Sequence, residues 1–293
     1  MTRFDFIQID GSLIYRFPNN LSVTPTPVHT NHHALQYEHE VSAILIQIRR
    51  RLTGRMLLDV LKTAGRGLTI VPTNSATNAG ATPMSGTGAV AARQQVLVGD
   101  NGQVVRDRAG NALIRTGLGS DVGLLFTPRS INPEQARTVP PGAQADEVLV
   151  HELVHTLRQM HGGQTNRPTG SAFGNIDEFM AIVVADMYSS ETWTDAGGRQ
   201  QGGLARLRAS HDLNPASLAS VLRSTMCDTP DILRGTGPTL SATFATRFGA
   251  LLEEFRLGET LLFHRLAGVQ AHFNPLTEHL VNRGLLRRPA QAH

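Results

Sequence analysis

The stretch Val148-Leu149-Val150-His151-Glu152-Leu153-Val154-His155-Thr156-Leu157 limits this chain more than any other. Val150, Leu153, Val154 and Leu157 recur at the spacing of one helical face, which predicts a helix anchored in a core. On that helix His151 and His155 stand one turn apart, so two imidazoles can address a single metal ion. Glu152 lies beside them and can take a proton from a water that such an ion has acidified. The expectation is metal-assisted hydrolysis, with His151 and His155 as zinc ligands and Glu152 as general base. A core helix that happens to hold two histidines is the alternative.

The flanks fit a helix start. Pro140-Pro141-Gly142 breaks what precedes it, and Asp146 and Glu147 put acid into the opening turns, where the helix dipole favours it.

Composition bounds the partners. With 293 residues and 40% hydrophobic content the chain can build one large core, and it reads as a single unit over 1–293. Within it, 1–92 should hold a hairpin, helices and a flexible loop, 93–212 the motif-bearing core, and 213–293 a helical part. A formal charge of +3 argues against nucleic acid as the main partner. Lys62 is the only lysine, which fits a GC-rich coding bias or avoidance of ubiquitin attachment in a eukaryotic cytosol. Cys227 is alone and so forms no intramolecular disulfide. Neither a leader nor a membrane-spanning stretch is expected.

Residues 4–17 alternate around Asp10-Gly11 and predict a hairpin, followed by a polar connector over 18–34 with His29, His32 and His33, and His39 just beyond. These histidines lack a fixed helical spacing and are read as solvated. From Gln36 to Lys62 the period is helical, with a break near Thr53-Gly54, and Arg49-Arg50-Arg51 with Arg55 reads as a solvated face in preference to a contact with phosphates or an acidic partner. Leu68–Val71 should be a strand, and 73–92 a surface loop without phosphate-binding features. Short runs between 94 and 126 predict a small, mostly antiparallel sheet, with 122–126 as the strand whose edge receives an extended substrate. No internal repeat is expected. Ile176 to Tyr188 should form a buried helix, followed by helices near 215–226, 239–255, 257–267 and 275–284.

A catalytic zinc takes three protein ligands, so a third is needed. His161 has the metzincin spacing from His155, but that pattern requires glycine where this chain has Arg158. Glu178, on the following buried helix, suits the gluzincin arrangement and is preferred, with Asp177 as an outsider and Asp186 as a possible orienting group. The position four after Glu178 is Ile182 and not an aspartate, a departure from the thermolysin form. Tyr188 and His211 are the candidates to stabilise an oxyanion.

The HELVH motif, the run Asp177-Glu178-Phe179-Met180-Ala181-Ile182, then Asp186, Tyr188, Ser190 and Glu191, and later Leu207-Arg208-Ala209-Ser210-His211-Asp212, resemble the NleD-like effector zinc metallopeptidases that bacteria deliver into other cells. The resemblance spans about residues 143–212, and only HExxH in it is specific. It implies an α+β, zincin-like fold, Zn2+ held by His151, His155 and Glu178, and Glu152 as general base. It also implies a secreted effector or toxin that cleaves a host or competitor-cell protein after delivery by a non-Sec route. A nucleophile elbow is missing, and Cys227 has no local signature of a reactive thiolate. A non-catalytic binding protein with a structural or vestigial zinc site, and a zinc hydrolase acting on other bonds, stay open alongside the peptidase.

Overall fold

The computed structural model describes residues 6–14 apart from 12, 26–27, 31–72, 79–84, 88–128 apart from 100, 109 and 111, 142, 144–194 apart from 172, 198, 200–203, 207 and 237–287. Over these residues the chain is mixed α and β, with a small sheet and many helices. It divides into two compact units. One comprises Met1–Ile46, Leu61–Ile131 and Glu152–Asn166, and the other Gln47–Val60, Asn132–His151 and Arg167–His293.

The first unit holds the four-stranded sheet. β1 (Ile7–Ile9), β4 (Leu68–Val71) and β8 (Val122–Leu125) run parallel in that order, and β5 (Gly80–Pro83) closes the sheet antiparallel to β8. The sheet is therefore mostly parallel, which corrects the antiparallel expectation. The cause is the chain between β1 and β4: it passes through helices α1 (Asn31–Arg50) and α2 (Leu52–Thr63), the kind of long crossover that returns a strand parallel to its predecessor. β8 has a partner on each side and is buried along its whole length, so it is not an edge. β1 and β5 are the two edges, and among the described residues no strand pairs with the outer side of either.

The expected hairpin at 4–17 does not form over its described part. β1 spends its main-chain groups on β4, while β2 (Leu13–Ile14) pairs with β3 (Thr26–Pro27). Gly11 is needed for closeness and not for a turn, since a Cβ there would stand 2.4 Å from the Ala34 carbonyl oxygen. The stretch 73–92, read as a loop, supplies β5 and the short helix α3 (Gly88–Ala91).

Residues 95–115 do not join the main sheet. β6 (Gln95–Val96) pairs with β7 (Ile114–Arg115), Val98 bridges Val104, and Arg106 bridges Ala112. The three arms close a ring: the Leu97 amide donates to the Leu113 carbonyl, Leu113 to Val105, and Val105 to Leu97. Residues 97, 105 and 113 are each eight apart, and Gly102 and Gly110, also eight apart, both turn with positive φ. An eight-residue repeat is present after all. Its side chains vary from arm to arm, and only the shared register exposes it.

In the second unit α1 and α2 part at Arg51, two residues before the expected break at Thr53-Gly54. Gly54 lets α2 start hard against the end of α1, because a Cβ there would stand 2.2 Å from the Ile48 carbonyl oxygen. α5 (Ile176–Ser190) is buried along nearly its whole length. Its Phe179 stacks on Phe244, and Phe173, Phe248 and Phe273 complete an aromatic cluster with edge-on and tilted pairs. The helices α6 (Gly237–Arg247), α7 (Gly249–Gly258), α8 (Thr260–Ala267) and α9 (Pro275–Asn282) match three of the four helical segments read in the tail, with a break at Phe248. The segment 215–226, His211 and Cys227 lie outside the described residues. No described helix is long and apolar enough to cross a membrane.

Candidate metal centre

α4 (Ala145–Met160) carries the motif as one continuous helix. Leu149, Val150, Leu153, Val154 and Leu157 are fully buried, so the apolar face fixes which way the polar face looks. His151 is buried, while Glu152 and His155 are half-buried. The helix ends where Gly162, at φ 68°, turns left-handed. The Gly163 amide bonds back to the Arg158 carbonyl at 2.7 Å and the Gly162 amide to that of Gln159 at 3.1 Å. Arg158 is buried and its guanidinium donates to the Gly163 carbonyl, so the residue standing at the metzincin glycine position holds the helix end straight. His161 falls beyond that end.

α5 begins just as specifically. Asn175 is its N-cap, and its side-chain oxygen accepts from the Glu178 amide at 2.9 Å. Phe173 packs edge-on against Phe179 at 5.1 Å and pins the entry angle of the chain. Asparagine followed three residues later by glutamate is a helix-start signal legible in the sequence. In the usual box the glutamate reaches back to the cap. Here its carboxylate lies 3.1 Å from His151 Nε2 instead.

The helix sets His151 beside His155, and the ion-pair geometry sets Glu178 against His151. Together the three each offer one ligand atom, all within 4.8 Å of one another. Tetrahedral zinc with bonds near 2.0–2.1 Å holds its ligand atoms about 3.3 Å apart, so a small closing movement suffices and this donor set fits a metal ion. Among the described residues this is the one such group of three, and neither His161 nor Asp177 belongs to it.

The other candidates stand elsewhere. Tyr188 is ten residues beyond Glu178, about 15 Å along the helix. It is fully buried and its hydroxyl donates to Asp146 Oδ2 at 2.7 Å, which moves it away from an oxyanion role. Burial first, and the adjacent Asp146 carboxylate second, push its pKa well above the usual phenol range, so it stays a donor at neutral pH. Asp177 and Asp186 are buried on α5. Arg51, read as part of a solvated run, is buried while Arg49 and Arg50 are exposed. It reaches Asp146 at 3.3 Å and its guanidinium lies 4.0 Å over the Tyr188 ring.

Comparison with protein-family models and with curated protein sequences returns no match for this chain.

Proposed function

We propose that this chain is a zinc-dependent endopeptidase of zincin type. The observation that carries the reading is the convergence of His151, His155 and Glu178 beside Glu152. Two imidazoles and one carboxylate are the donor set of catalytic zinc sites that keep a fourth position for water. When bound, zinc supplies Lewis-acid activation, lowering the pKa of a water to about 7 and polarising a substrate carbonyl. Glu152, next to His151 on the same helix, would act as general base toward an attacking water and as proton donor to the leaving amine. β5, the edge strand beside β8, would receive an extended peptide in place of the buried 122–126 strand, although its Ala81 carbonyl already accepts from Gln159 Nε2 at 2.8 Å. The resemblance of the motif region to delivered bacterial effector peptidases extends this reading to a host or competitor-cell protein as substrate.

The test is cleavage of a proteome-derived peptide library by zinc-loaded protein, with new termini read by mass spectrometry. Wild type is expected to generate termini that a chelator abolishes, and Glu152→Gln to lower the rate roughly 100- to 10,000-fold while keeping the metal. Zinc bound with no cleavage in any library would favour a structural site in a binding protein.

A further inference from the structure

The two helices that bring the ligands together are held at a second point, away from the metal. Asp146 sits in the first turn of α4, five residues and about 7.5 Å of rise before His151. Its Oδ2 accepts from the Tyr188 hydroxyl at 2.7 Å and from Gln47 Nε2 at 2.9 Å, and Arg51 lies 3.3 Å away. Arg51 also donates to the Tyr188 carbonyl at 3.2 Å. Just beyond α5, the Glu191 carboxylate accepts the amides of Leu52 and Thr53, each at 2.7 Å, and so caps the start of α2. Every one of these side chains except Glu191 and Gln47 is buried.

The start of α4 meets the end of α5, while His151, further along α4, meets Glu178 near the start of α5. The helices are therefore antiparallel and tied twice. Between the ties α5 offers apolar side chains from Phe179 to Ala185 and at Met187, with buried Asp186 the one polar exception. Apolar burial is non-directional and tolerates sliding or rotation of one helix on another. Directional, buried polar bonds do not, and a register role is the best-attested use of such groups. With the His151–Glu178 contact alone, α5 could pivot about it; a second tie removes that freedom and fixes where the Glu178 carboxylate points.

We propose that Asp146, Tyr188 and Arg51 form a positioning brace for the metal centre, setting the register of α4 against α5 so that Glu178 meets the two histidines. The inference rests on the metal-site reading above. The brace touches neither metal nor substrate, and acts through the two helices.

The experiment measures zinc affinity by chelator competition and the visible spectrum of the cobalt(II) form, whose band intensity reports ligand geometry. Wild type is compared with Tyr188→Phe, which deletes one hydroxyl, with Asp146→Asn, and with Leu262→Ala, a buried site on α8 that lowers stability away from the brace. Tyr188→Phe is expected to fold, to bind zinc about tenfold more weakly, the lower end for groups outside the ligand set, and to alter the cobalt spectrum. Leu262→Ala should lose stability yet bind zinc as wild type does. Wild-type zinc affinity and an unchanged cobalt spectrum in Tyr188→Phe would overturn the brace, as would an equal loss of affinity in Leu262→Ala. Wild type that binds neither metal overturns the metal centre itself, a result distinct from both.

Discussion

His151 Nε2 and the Glu178 carboxylate lie 3.1 Å apart, one on the motif helix and one in the first turn of the next helix. The Asn175 cap sets the first turn of α5 and with it Glu178, and the Gly162 turn ends α4. Both can be tested singly.

The ligand set comes first. Elemental analysis of purified protein is expected to find one zinc in wild type and in His161→Ala, and little in Glu178→Ala, each checked for folding. Two histidines and a carboxylate also suit iron(II), so the same analysis identifies the metal. Metal lost from His161→Ala and kept by Glu178→Ala would reverse the assignment.

Asn175→Ala removes the acceptor for the Glu178 amide. The loss should be about 1 kcal/mol of stability, read from denaturant unfolding, with zinc affinity falling as the first turn of α5 frays.

Gly162→Ala is expected to be worse than an ordinary surface change. The left-handed backbone alone disfavours alanine by about 1–2 kcal/mol, and the new Cβ would stand 2.3 Å from the Gly117 carbonyl oxygen. A thermal midpoint unchanged from wild type would count against the described turn.

The C-terminal helices should be acid-sensitive through Glu253. Two hydrogen bonds from Arg256, and then one from His279, lower its pKa from about 4.5 to about 2. A depressed carboxylate contributes stability that is complete above pH 4.5 and lost as pH falls toward 2. Glu253→Gln should therefore be less stable than wild type by about 1 kcal/mol at neutral pH, with the difference vanishing near pH 2. A gap that stays constant across that range would refute the assignment.

What could be read from the sequence was what is local. The imidazole pair follows from helical spacing, the end of α4 from Gly162-Gly163, and Glu178 from the need of a buried-helix carboxylate for a partner. Sheet order was not legible, because β1, β4 and β8 pair across long crossovers that leave no mark in the strands themselves. Arg51 was misread for a related reason. It stands at the break between α1 and α2, so the helical face that exposes Arg49 and Arg50 does not extend to it, and the residues it meets, Asp146 and Tyr188, are distant in the sequence. Tyr188, expected to stabilise an oxyanion, is set far from Glu178 by the helix rise and given to Asp146 by the burial of α5.

The ring of amide bonds through Leu97, Val105 and Leu113 has a consequence for solubility. Val96, Val98, Val104 and Ile114 are exposed there, a composition that on an open ribbon would invite other chains to add strands and polymerise. At the centre of each arm both the amide and the carbonyl are already used within the ring. An incoming chain thus finds apolar side chains but no backbone template at those positions, and the repeat can display hydrophobic surface without nucleating fibres.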